Sequence, residues 1–184
     1  MISEATHDTI RNKMKKLLVA LLAVTSSCFA LTAGDIGGFW KTINEEGVAQ
    51  SIIAVYPYNG LYYGRLIASF SDTEPGKIDD SIYHPTKRAP GVEGQLYYCG
   101  LDIIWDMKFA GSKYKGKILD PQKGHIYNAE MWEENDILTV RGKYLIFGRN
   151  QNWLPVKDSD LPKDFVLPDV STFVPVIPTP KSEK

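Results

Sequence analysis

The chain has 184 residues, 43% of them hydrophobic and 11% aromatic, with 21 Lys+Arg against 22 Asp+Glu and a formal net charge of −1. That balance excludes a disordered chain, and it supplies no excess of Lys and Arg for nucleic acid or an anionic membrane. The size suits one domain, and the 15 Gly and 11 Pro fall unevenly, as expected of short strands broken by turns.

Residues 1–13 are polar and mixed in charge, which makes Met14 a candidate start. From Met14 the chain reads two lysines, an apolar run from Leu17 to Val24, then small and polar residues to Ala30, the three-part layout of a secretory signal peptide. Two rival readings use the same residues. One is a membrane anchor, because no charge occurs between Leu17 and Gly34; the other is a lipid on Cys28, because Thr25-Ser26-Ser27-Cys28 approximates a lipobox. The dense apolar part is short for a bilayer, and Thr25 stands where a lipobox has Leu. The expectation is therefore export to the periplasm or beyond, with cleavage after Ala30 and membrane attachment only if Cys28 is lipidated. Cys99 then remains the sole cysteine, so no intramolecular disulfide forms.

Beyond the export segment lie all four Trp and all ten Tyr. Ser51–Tyr58 and Leu61–Phe70 are rich in β-branched and aromatic residues and flank Asn59-Gly60, which predicts a two-residue hairpin. Pro57 lacks an amide donor and belongs at an edge or bulge. Residues 71–94 hold three prolines and three glycines without a sustained period, and read as a long loop and candidate lid. Strands are predicted at Gln95–Cys99, Asp102–Phe109, Lys113–Leu119, His125–Trp132, Ile137–Arg141, Tyr144–Phe147 and Gln151–Val156. Alternation places Trp105, Met107 and Phe109 on one face and opposes Ile118 to Lys117 and Leu119. Eight or nine such strands predict an all-β antiparallel meander that closes into a small barrel. The domain plan is 1–30 extension and signal, 31–156 barrel, and 157–184 a Pro-rich extended tail.

The order Gly38-Phe39-Trp40, Tyr63-Gly64-Arg65, Arg88-Ala89-Pro90, Lys115-Gly116-Lys117-Ile118-Leu119-Asp120-Pro121 with Gly124 and Tyr127, Val140-Arg141-Gly142, and Phe147-Gly148-Arg149 with Trp153 resembles the DUF2147 family of exported bacterial proteins. The resemblance implies a lipocalin-like barrel of the envelope or secreted, with no established catalytic activity. Asp79–Pro90 departs from the family pattern. Gly38-x-Trp40 resembles the lipocalin signature, in which Trp plugs one barrel end under a late-strand arginine, here Arg149 or Arg141. Such a pair contributes about 0.5–2 kcal/mol. Gly116, Gly124 and Gly142 then serve bulges, turns or corners, and Asp120-Pro121 with Gly124 a capped hairpin turn.

No catalytic residue, metal or cofactor is expected. His84 and His125 are too sparse for a metal centre, and the acidic residues Asp72, Glu74, Asp79 and Asp80 match no calcium loop. Cys99 lies in an apolar strand-like context, which argues a buried thiol rather than a nucleophile with His125 as base. What remains is the aromatic load, which either packs the barrel shut or lines a pocket. The first functional reading is a carrier of a small apolar or amphipathic molecule without covalent chemistry, with Arg65, Tyr62, Tyr63, Trp105 and Tyr127 as candidate contacts. The alternative is an envelope adaptor that engages a protein partner through its surface or through Pro175–Pro180.

Overall fold

Turn chemistry and a two-residue side-chain period set nine strands among the residues that the computed structural model describes, 34–144 and 147–181. They are β1 (Gly38–Ile43), β2 (Ala49–Tyr58), β3 (Leu61–Phe70), β4 (Ile78–Ser81), β5 (Asp102–Ala110), β6 (Lys113–Asp120), β7 (His125–Glu134), β8 (Ile137–Tyr144) and β9 (Phe147–Pro155). The export segment lies outside the described residues. Asn59 and Gly60 both take positive φ, 49° and 78°, which matches the right-handed twist of the strands they join. Pro57 pairs with Tyr62 on β3, while the ladder to β1 ends at Gly38↔Val55. Pro57 therefore costs the sheet nothing on its free side.

Eight strands form a closed antiparallel ring in the order β1, β2, β3, β5, β6, β7, β8, β9, and β9 returns to β1 through Trp40↔Pro155 and Lys41↔Leu154. β4 pairs outside the ring with the end of β3, Ala68↔Ser81 to Phe70↔Ile78. Closure removes the exposed edges of a meander. It needs curvature, and bulges at Ile52/Ile53 and between Trp105 and Lys108 supply it.

Four details differ from the sequence reading. Gln95–Cys99 is not a strand: Glu93–Gln95 makes a 3-10 turn and Tyr97 a lone bridge to Arg88. Tyr144 and Phe147 end β8 and begin β9 as one hairpin instead of forming their own strand. Gly38–Ile43 and Ile78–Ser81 are strands that the reading left unassigned, the second inside the predicted loop. Asp106 has φ 55° within the β5 bulge, so Trp105 faces outward while Met107 faces in. An inserted residue reverses parity, which is why the two do not share a face.

Inward residues of the ring, among them Ile53, Ile104, Met107, Met131, Leu138 and Trp153, make one apolar cluster. A second layer lies outside. Ile52, Ala54, Ile67, Ala68 and Phe70 are covered by Leu161, Phe165, Leu167 and Phe173 of the tail, each such side chain contributing about 1.5–3 kcal/mol when fully buried. β2 and β3 are thus buried on both faces, and for that reason they read as continuous apolar runs where β6 alternates.

Candidate functional site

One end of the barrel is sealed by the segment that enters it. Ile36 is buried, the Trp40 indole donates to the Ile36 carbonyl at 3.0 Å, and the Tyr114 hydroxyl donates to the Gly34 carbonyl at 2.9 Å. Tyr62 stands edge-on to Tyr114 with ring centroids 5.2 Å apart and donates to Asp35 at 2.8 Å. Burial first, and the Asp35 carboxylate second, push the Tyr62 hydroxyl up from its ordinary range.

Neither Arg149 nor Arg141 covers Trp40, contrary to the expectation. Arg149 lies six residues up β9 from the Trp40↔Pro155 pair, about 20 Å of strand, and pairs with Glu45 at 2.5 Å. Arg141 alternates with inward Val140 and Gly142, so it lies on the outer wall beside Gly148, where an added side chain would collide with its guanidinium.

Above the sealed end the barrel is hollow, and a cavity of about 1230 Å³ opens between the β1–β2 loop, the start of the β6–β7 turn and the top of β9. Its deep wall is apolar, with Ile53, Ile118, Val140 and Trp153. Nearer the mouth stand Thr42, Ser51, Tyr127 and Gln151. Thr42 and Ser51 hydroxyls are 2.7 Å apart, and the Trp153 indole donates to Gln151 at 3.1 Å. Gly142 leaves space in the wall; a β-carbon there would meet only the Ile118 methyl, at 3.7 Å. Among the described residues the charged lining groups are Glu45, Glu46, Asp120 and Arg149, all at the rim. Such a lining grips an apolar body and offers neutral hydrogen-bonding groups to its polar end.

Asp120 also builds the rim. Its carboxylate accepts from the amides of Gln122 and Lys123, and the Gly124 amide closes the turn onto the Asp120 carbonyl at 2.8 Å. The Gly91 carbonyl presses so closely on Gly124 that a β-carbon would sit 2.4 Å from it, and the Gly91 amide donates to Pro121. No residue of 71–94 is in the lining. That segment braces the turn from outside, which corrects the lid expectation.

Of the five candidate contacts, Tyr127 alone reaches the cavity. Tyr62 belongs to the seal. Tyr63 and Trp105 lie on the outer wall in a cluster with Tyr56, Val92 and Leu119. Arg65 is also on the outside, because Gly64 takes the inward position opposite Ile104. Its guanidinium donates to Asp102 at 2.7 Å, to the Tyr56 hydroxyl at 3.1 Å and to the Val174 carbonyl at 2.5 Å, and lies 4.4 Å from the Phe173 ring centre. Asp102, fully buried, accepts from Tyr56 at 2.7 Å and from the Val176 amide. Arg65 therefore pins the tail. The cavity residues missed by the sequence reading carried one signal, the alternation that points Ile118 inward with Gly116; Thr42, Ser51 and Gln151 carried none.

Cys99 is buried, with its thiol 3.3 Å from the Asp80 carboxylate; burial and then that carboxylate push the thiol up from its ordinary range. Asp80 also accepts from the Thr86 amide at 2.6 Å, so it orders its loop. Among the described residues no group of three or more His, Cys, Asp and Glu is placed to hold a metal ion.

Residues 38–154 match the family model described as an uncharacterized protein conserved in bacteria, DUF2147. Among solved structures, protein HP1028 from Helicobacter pylori, described as belonging to the lipocalin family, is similar over 68% of this chain and 86% of its own, with a TM-score of 0.54 and 16% identity. That likeness is one of fold. No curated protein matched the sequence.

Proposed function

Because this chain belongs to the DUF2147 family and closes a lipocalin-like barrel around an open cavity, we propose that it is a non-catalytic carrier of a small amphipathic molecule. The observation that carries the reading is the lining. An apolar floor of Ile53, Val140 and Trp153 lies under a neutral polar belt, with the charged lining groups at the rim. A barrel of eight strands is the size that holds one small ligand. Export belongs to the same proposal and rests on the signal-like segment from Met14 to Ala30. The adaptor alternative engages a partner through the surface or the Pro-rich tail, and of these the tail has the main chain of Val174–Lys181 already bonded to the barrel.

A fluorescent amphipathic probe such as anilinonaphthalene sulfonate tests the cavity. The protein is expected to bind it, and Gly142→Leu, whose side chain enters the cavity without a strained backbone, is expected to weaken binding at least about tenfold, or about 1.4 kcal/mol, with an unchanged melting temperature. Equal binding by G142L and the parent chain would place the probe elsewhere and overturn the reading.

A further inference from the structure

On the outside of the barrel the tail packs against the cluster of Trp105 and Leu119, and it leaves exposed Lys108 of β5, Lys115 and Lys117 of β6 and Ile126 of β7. On β6 every second residue from Lys113 to Lys117 is a lysine on the outer face, Lys113, Lys115 and Lys117, while Tyr114, Gly116 and Ile118 turn inward. Register sets Lys108 of β5 beside Lys115, and Arg141 and Lys143 of β8 beside Glu130 and Asn128 of β7. Six cations thus share one stretch of sheet, spaced about 7 Å along a strand and about 5 Å between strands. Glu130 stands among them, Asp106 at the edge, and Glu133 and Glu134 beyond, at the β7–β8 turn. A net charge of −1 for the whole chain conceals this face.

Glu130 is occupied by Lys143 and lies 4.0 Å from Lys113. Lys108, Lys115 and Arg141 make no ion pair among the described residues, and Arg141 Nε is buried without a hydrogen-bond partner. Two apolar groups share the face: Ile126, 45% exposed, and Trp132, whose ring lies 3.6 Å from Lys113 Nζ. Being the convex outside of a barrel, this wall offers no groove to a peptide. Fluid headgroups can arrange themselves around fixed cations, and long lysine stems reach them.

We propose that this face docks on an anionic lipid surface, with the exposed Lys108, Lys115 and Lys117 meeting phosphates and Trp132 and Ile126 resting at the interface. The test is co-sedimentation of the full chain with vesicles of 30:70 phosphatidylglycerol and phosphatidylcholine, and with phosphatidylcholine alone. Binding is expected on the anionic vesicles only, and it should weaken as salt rises. K108Q/K115Q removes two exposed, unpaired lysines and is expected to bind about 25-fold more weakly, about fivefold per lysine, with an unchanged melting temperature. K77Q/K163Q, which removes two exposed lysines elsewhere, is expected to bind like the parent chain. Equal binding to both vesicle types, or equal loss in the two variants, would overturn the proposal. So would a dimer in vesicle-free solution that K108Q/K115Q dissociates, since it would give the face to a second copy.

Discussion

Removing the Arg65 guanidinium strands a carboxylate that no water reaches: Asp102 is 0% exposed and Arg65 11%. Breaking a buried pair from one side costs about 3–5 kcal/mol, whereas replacing both partners by apolar groups of similar volume costs far less. Arg65→Ala is therefore expected to lower urea stability by that amount, and R65M/D102L by clearly less; an equal loss in the two would show that Asp102 is not the stranded group. The sequence made Arg65 a cavity contact because parity alone cannot tell which face of a strand is inward. Gly64 carried the missing signal, since the ring admits no side chain opposite Ile104, where a β-carbon would sit 3.0 Å from the Ile104 β-carbon. Ile118 was legible because its neighbours Lys117 and Leu119 define an unbroken alternation. Trp105 was misplaced because the positive φ at Asp106 has no signature in an Asp with ordinary neighbours.

At the scale of elements, hairpins were the most legible feature and outer coverage the least. Asn59-Gly60 specifies its turn locally, whereas residues 157–181 become part of the domain only through distant partners. Val156 donates to the Phe39 carbonyl, Lys41 pairs with Asp160 at 2.5 Å, and Thr179 and Lys181 bond to Glu93 and Gly91. Deleting 157–184 exposes Ile52, Ile67 and Phe70, so the truncated chain is expected to unfold or aggregate, as circular dichroism and light scattering would reveal; a folded, monomeric truncation would show the tail to be dispensable. The same contacts are sensitive to acid. Burial disfavours the Asp160 charge, but the Lys41 hydrogen bond and the Lys157 amide outweigh it and hold the carboxyl below its ordinary 3.8. A depressed carboxyl stabilises the fold above its unfolded value and ceases to do so as pH falls through its folded one. Amide protection around Asp158–Leu161, taken relative to the free-peptide exchange rate at the same pH, is thus expected to fall below about pH 4, and Asp160→Asn to remove that pH dependence.

On the scale of the whole molecule, the hollow of the closed ring, the covered β2–β3 wall and the lysine-bearing β6–β8 wall give one barrel three surfaces. Segment Gly34–Gly37 seals the bottom of the cavity, and the β1–β2 loop and the β6–β7 turn frame its mouth. The fold was legible in the sequence because turn signals such as Asn59-Gly60 mark most hairpins, the one at Tyr144–Phe147 excepted. The cavity was not, because its volume is what remains after side chains from all eight strands have been placed, and small residues such as Gly142, Thr42 and Ser51 decide it. Native mass spectrometry of the protein purified from its own cells, followed by denaturing mass analysis, tests carriage most directly. An adduct present in the native mass, lost on denaturation and absent from Gly142→Leu, is the expected result. A native mass equal to that of the bare polypeptide, with no probe bound by the parent protein, would contradict it.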